Sequence, residues 1–167
     1  MSYLTIPLTP AHKKEKFSCG KPLLDVYLHR QAKQDVRRRL SACFVLPEGN
    51  EIKGYYTLST TGVARRLLPE EIIKKLPPSY NDLPATLLGR LAISKDYQRQ
   101  GLGEILLMDA LKRSYLVSKH VASMAVIVDP LDDEAIRFYA KYDFVLLPDS
   151  GKMFLPMATI ASLFPND

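Results

Sequence analysis

The chain has 167 residues, 47% of them hydrophobic and 25% charged, with a net charge of +5. Its length suits one domain of about 150 residues and a core that takes about 70% of the unfolded surface out of water. Its composition excludes a collagen-like repeat, a disordered tail and a coiled coil. No apolar run approaches the ~18 residues of a membrane span. The start, MSYLTIPLTPAHKKEK, lacks the basic head, apolar stretch and small cleavage site of a signal peptide, so a soluble cytoplasmic protein is expected. Cys19 and Cys43 allow at most one disulfide and form no CxxC pair. His12, His29 and His120 stand singly, and no metal site is expected.

The charge is unevenly placed. Residues 1–40 hold nine Lys and Arg against three Asp and Glu, and the remainder holds 14 against 15. Such an excess serves either a polyanionic partner, nucleic acid included, or simply a solvated basic helix face.

In chain order, Ser2 to Leu8 reads as a short strand. Lys21 to Leu40 reads as a long helix with Leu24, Leu28, Ala32, Val36 and Leu40 inward and Arg30, Lys33 and Arg37 outward. Ser41 to Leu46 and Ile52 to Val63 read as strands joined by a turn at Glu48-Gly49-Asn50. Pro69 opens a short helix, PEEIIKKL, stopped by Pro77-Pro78, and SYNDLP reads as a loop. Ala85 to Ile93 is a buried strand whose Gly89 marks a bulge or a close backbone approach. Gly101 to Ser118 is a helix with Leu102, Ile105, Leu106, Ala110 and Leu111 inward. Met124 to Val128 is a buried strand. Asp132 or Asp133 caps a helix running to about Lys141. Phe144 to Leu147 and Met153 to Pro156 are strands, and Met157 to Phe164 is a closing helical turn. This order implies an α/β fold, a mixed sheet with helices on its faces.

The most informative stretch is Leu88 to Leu107, a buried strand that passes through a polar turn into a helix. The turn, Gln98-Arg99-Gln100-Gly101-Leu102-Gly103, pairs glycine backbone with the positive end of the helix and the charge of Arg99. Those are the parts of a pyrophosphate site. It lacks the GK[ST] end of a Walker loop, and Leu106 occupies the third glycine position of a dinucleotide fingerprint.

Gln98-x-x-Gly101-x-Gly103 after a strand resembles the acetyl-CoA signature of the GNAT N-acetyltransferases. Ala135 to Phe144 (AIRFYAKYDF) resembles the family's A-x-x-F-Y-x-x-x-G-F segment, with Asp143 in place of its glycine. Phe17 to Leu28 (FSCGKPLLDVYL) and Leu88 to Ile93 (LGRLAI) resemble segments of the GNAT toxins of bacterial toxin–antitoxin pairs. The resemblance covers nearly the whole chain.

The resemblance implies a single GNAT-like domain over residues 1–167, its sheet splayed where acetyl-CoA enters and helices on both faces. It implies donor contacts at Leu91, Ala92, Ile93, Arg99, Gln100, Gly101, Leu102, Gly103, Glu104, Asp132 and Phe138, with main-chain groups near Ala92 polarising the thioester carbonyl. It makes Tyr139 the acid that protonates the leaving thiolate. For the acceptor it points to the α-amine of an aminoacyl-tRNA, approached by Arg37, Arg38 and Arg90. An α-amine, at about pKa 7.7–8.0 and lower in an ester, needs less help from a base than a lysine at about 10.4. The resemblance also implies inhibition by a small ribbon-helix-helix antitoxin and leaves a homodimer open. Two other readings stand beside it: a GNAT enzyme acting on a small-molecule or protein amine, and a silent CoA-binding module.

Overall fold

A computed structural model describes residues 2–167. The strands are β1 (Ile6–Pro7), β2 (Ala42–Glu48), β3 (Glu51–Ala64), β4 (Asp82–Ile93), β5 (Ala125–Val128), β6 (Val145–Leu146) and β7 (Met153–Pro156). The α-helices are α1 (Pro22–Val26), α2 (Ala32–Arg37), α3 (Glu70–Ile73), α4 (Leu102–Ser118), α5 (Asp133–Lys141) and α6 (Met157–Ser162), with a π-helix at Tyr27–Gln31 joining α1 to α2. The strands form one mixed, open seven-stranded sheet in the order β1-β2-β3-β4-β5-β7-β6. The α/β class expected from the element order is thus the class observed.

The chain divides into two compact units. One holds the residues up to Ser59 together with Leu88–Arg113; the other holds Thr60–Leu87 and Ser114–Asp167. Strands β3 and β4 each contribute a part to either unit.

In the first unit, β1 pairs antiparallel with β2 and β2 with β3, with Cys43 opposite Thr57 and Val45 opposite Tyr55. The core gathers around Tyr55, and the segment Phe17 to Leu28 supplies Phe17, Cys19, Tyr27 and Leu28 to it. Phe17 meets the Tyr55 ring edge-on at 5.4 Å, and Tyr27 lies nearly parallel to it at 6.4 Å. The Tyr55 hydroxyl donates to the carbonyl of Leu24 at 2.7 Å. Asp25 accepts from the amide of Cys19 at 2.8 Å. Gly20 between them has φ +94°, a conformation that favours glycine. This segment's spacing of Phe, Cys, Gly, Leu, Asp and Tyr is therefore a packing pattern around one buried tyrosine.

The helix expected over Lys21 to Leu40 is not one regular helix. The amide of Ala32 donates to the carbonyl of Tyr27, five residues back. A strict four-residue spacing overruns the 3.6-residue period, and the wider π turn absorbs the excess. Leu28 and Ala32 are fully buried, and Leu24 and Val36 pack against them. Leu40 is a correction: it is 63% exposed. The helix ends before it, at Arg39 with φ 60°. The amide of Arg39 donates to the carbonyl of Val36, and that of Leu40 to Asp35, the paired bonds of a Schellman end. Arg30, Lys33, Arg37 and Arg38 are exposed, as expected.

Residues 2–5 are not strand. The amide of Leu4 and the hydroxyl of Thr5 donate to the Asp109 carboxylate, at 2.7 and 2.5 Å, where a ladder partner would otherwise be. In α4, Leu106, Leu107, Ala110 and Leu111 are buried, whereas Ile105, expected inward, is 40% exposed.

In the second unit, β5 pairs antiparallel with β7, and β7 with β6. Its core joins Val63, Leu83, Ala85, Ala125, Ile127, Leu147 and Phe154. The expected loop SYNDLP gives way to strand at Asp82. Leu83 and Ala85 are buried on alternate positions, and the carbonyl of Pro84 accepts from the amide of Met124 at 2.9 Å. Sheet pairing overrides the turn propensity of Asp82 and Pro84 here. The helix after Pro69 spans only Glu70–Ile73, and Phe144 lies just before β6 rather than in it.

Candidate active site

In the first unit β4 ends at Ile93, and a short turn at Lys95–Tyr97 leads to the loop before α4. The side-chain amide of Gln98 donates to the carbonyls of Ile93 and Cys19, each at 2.8 Å. This one side chain ties the loop to the end of β4 and to the Cys19 segment. Beyond it, Arg99 has φ 64° and Gly101 φ 76°. A Cβ on Gly101 would meet nothing within 4 Å. The demand for glycine there comes from the backbone angle and not from crowding. Arg99, Gln100, Gly101 and Glu104 are exposed, and Leu102 and Gly103 half-buried. The amides that open α4 thus lie beside an exposed guanidinium, an arrangement suited to a pyrophosphate.

Leu91 and Ile93 are half-buried, and Ala92 belongs to the core around Tyr55. Gly54 on β3 is a position that the sequence reading missed. A Cβ there would stand 2.7 Å from Ile93 Cδ1, 2.9 Å from the Ala92 carbonyl oxygen and 3.3 Å from Leu106 Cδ2. Its missing side chain lets β3 lie against both the end of β4 and α4. In the sequence, Gln98 and Tyr27 are likewise only motif letters. Gln98 reaches back to Cys19, and the Tyr27 ring meets Arg90 and Tyr55, so no local pattern announces them.

Asp109 on α4 is not a solvated helical acid. It is buried and accepts from Leu4, from Thr5 and, at 2.8 Å, from the Tyr56 hydroxyl. Arg113, one turn on, lies 3.8 Å from the centroids of both the Tyr3 and Phe44 rings and donates to Tyr56 at 2.9 Å. These two residues hold the N-terminal segment on α4.

In the second unit Asp132 caps α5, accepting from the amide of Ala135 at 2.9 Å. Phe138 is half-buried and Tyr139 is buried. Phe138 meets the Tyr139 ring edge-on at 5.2 Å, and Phe144 lies 5.3 Å from it. Burial pushes the Tyr139 hydroxyl well above the ordinary tyrosine range. It therefore stays protonated through neutral pH, as a proton donor must. Asp143, where the resemblance has glycine, has φ 72°, in the left-handed region.

The structure therefore brings Arg90 to Ile93, Arg99 to Glu104, Arg37 and Arg38 into one unit, and Asp132, Phe138 and Tyr139 into the other. Among the described residues no group of three or more His, Cys, Asp or Glu could hold a metal ion. No helix among them is long and apolar enough to cross a membrane.

The model of the acetyltransferase (GNAT) family matches residues 9–144. The chain belongs to the GNAT acetyltransferase family. The chain is therefore an acetyltransferase. A protein of Mycobacterium tuberculosis described as a tRNA-acetylating toxin is 33% identical over 141 residues, covering 84% of this chain and 83% of that one. The structure of AtaT complexed with acetyl-methionyl-tRNAfMet is 27% identical and aligns with a TM-score of 0.88 over 96% of this chain and 98% of that one. A structure of AtaTR bound with AcCoA is 28% identical, with a TM-score of 0.83 over 96% of each chain.

Proposed function

We propose that this GNAT enzyme transfers the acetyl group of acetyl-CoA to the α-amine of an aminoacyl-tRNA and so blocks translation. The observation that carries the reading is the likeness, across 84% of the chain, to a tRNA-acetylating toxin. In the transfer, the neutral amine nitrogen bonds to the thioester carbonyl carbon and the carbon–sulfur bond breaks. The departing thiolate takes the Tyr139 hydroxyl proton, and the proton lost by the amine returns through solvent. The loop from Arg99 to Glu104 holds the pyrophosphate. The end of β4, Leu91 to Ile93, carries the pantetheine arm.

Arg37, Arg38 and Arg90 serve the tRNA. The exposed cations of α2 suit phosphates held without sequence selectivity. The enzyme works as one domain in the cytoplasm, where charged tRNA is found. The segments shared with GNAT toxins support control by a ribbon-helix-helix antitoxin.

The test compares charged total tRNA with a lysine peptide and a polyamine as acceptors, at equal amine concentration. The reading expects turnover of charged tRNA alone. Faster turnover of the peptide or polyamine would favour a protein-amine or small-molecule enzyme.

A further inference from the structure

Arg90 lies on β4 directly before Leu91–Ile93, half-buried. Its guanidinium carbon stands 3.5 Å from the centroid of the Tyr27 ring. Among the described residues no carboxylate, carbonyl or hydroxyl accepts a hydrogen bond from it. Stacking uses the flat face of a guanidinium and leaves the N–H fork at its edge open. A half-buried cation with open donors calls for an acceptor from outside the chain.

The ring beneath it is held on several sides. Tyr27 is 4% exposed. Its hydroxyl donates to Asp35 Oδ2 at 2.8 Å, and the nearly parallel ring of Tyr55 lies 6.4 Å away. It is also the first residue of the π turn, a distortion found often at functional sites. A second polar group lies on the same face of the sheet. Thr57 Oγ1 is buried without a hydrogen-bond partner. Thr57 stands opposite Cys43 and two residues from Tyr55, both members of the core that Ala92 and Tyr27 share, and Arg90 is two residues from Ala92.

We propose that Tyr27 is a positioning residue for Arg90, and that the guanidinium it holds takes a phosphodiester group at the 3′ end of the acceptor strand. The helical segment that supplies Tyr27 also carries the exposed cations Arg30, Lys33 and Arg37. That continuity favours one phosphate of a polyanion over an isolated carboxylate. The planar fork matches two phosphate oxygens at once. The inference rests on the aminoacyl-tRNA reading and adds to it the group recognised and the residue that aims the recogniser.

The experiment is steady-state kinetics at saturating acetyl-CoA, with charged total tRNA and with amino acid methyl esters, which carry an α-amine but no phosphate. Arg90→Ala raises KM for charged tRNA by about ten- to a hundredfold, the range for a lost hydrogen bond to a charged group. The loss on methyl esters is smaller than the loss on charged tRNA. Arg90→Lys does not restore the tRNA KM, because an ammonium has no fork. Tyr27→Leu raises the same KM by several-fold to about tenfold, and Tyr27→Phe, which keeps the ring face, recovers most of it. Thermal denaturation and acetyl-CoA affinity show that each variant is folded.

An unchanged tRNA KM in Arg90→Ala overturns the inference, as does an equal loss on methyl esters. Tyr27→Phe as impaired as Tyr27→Leu overturns the role of the ring. If wild-type protein acetylates methyl esters but not charged tRNA, the aminoacyl-tRNA reading falls and the inference with it. If wild-type protein acetylates charged tRNA and the variants match it, the inference alone falls.

Discussion

The amide of Phe144 donates to the carbonyl of Tyr139 at 3.2 Å, and their rings lie 5.3 Å apart. With the bond from the Asp143 amide to Ala140, this is a Schellman end whose apolar contact is the Tyr139 ring itself. The termination of α5 and the placing of its tyrosine are one feature. Asp143 sits at its left-handed position, φ 72°. Asp143→Gly should therefore raise stability by a few tenths to about 1 kcal/mol, after the entropy cost of glycine is set against the relieved strain. Acetyl transfer should be unchanged. Chemical denaturation and an acetylation assay on the same preparation check both parts.

Tyr139→Phe removes one oxygen from a buried position and leaves the ring contacts. It should keep the fold and the acetyl-CoA affinity while lowering turnover by roughly 10²–10⁴-fold, the range for a lost general acid. Calorimetry with acetyl-CoA and single-turnover kinetics check this. Turnover within a few-fold of wild type would make Tyr139 a packing residue.

Two glycines near the loop should fail for different reasons. Gly101→Asp adds a negative charge beside the pyrophosphate and a Cβ at φ 76°. It should abolish acetyl-CoA binding in a folded protein. Gly54→Ala should instead unsettle the fold, because its Cβ would meet the backbone oxygen of Ala92 at 2.9 Å. A lowered melting temperature for Gly54→Ala and near-normal melting for Gly101→Asp would distinguish the two.

Much of this was legible in the sequence because it is written locally. The loop from Gln98 to Gly103, the capping of α5 by Asp132 and the turn at Asp143 each depend on residues a few positions apart. The features that were not legible join distant stretches of chain. The strand at Asp82 exists because β3 and β5 pair with β4, and Asp109 is buried because Leu4, Thr5 and Tyr56 come to it. The π turn at Tyr27 shows in the sequence only as a four-residue apolar spacing slightly too long for an α-helix, a signal with no direction until Tyr55 is seen beside it.

Both thiols are buried, and burial is the main cause that pushes Cys19 up to about 11 and Cys43 up to about 12 from an ordinary 9.0. Each folded-state value lies above the unfolded one, so the folded chain holds these protons more tightly. Their contribution to stability is complete below about pH 9 and is lost as pH rises through 11 and 12. At pH 8 a thiol reagent should modify native protein slowly and denatured protein at both cysteines. Fast native labelling at pH 8 would contradict this.

Replacing Arg37 and Arg38 with Ser should weaken tRNA binding and flatten its salt dependence, each lost phosphate contact removing about 0.9 or less from the logarithmic slope. Turnover of amino acid methyl esters should not change. Binding isotherms at several salt concentrations check the first part. An unaltered slope would make α2 a solvated face or a docking site for an acidic antitoxin segment.

The most direct measurement is the position of the transferred acetyl group. Charged total tRNA is incubated with the enzyme and isotopically labelled acetyl-CoA, digested with a nuclease, and the terminal aminoacyl-adenosines are analysed by mass. The account predicts label on the α-nitrogen of the esterified amino acid, and none after the ester has been hydrolysed before incubation. Label on a nucleobase, equal label on deacylated tRNA, or none on tRNA while acetyl-CoA is consumed with another amine would contradict it.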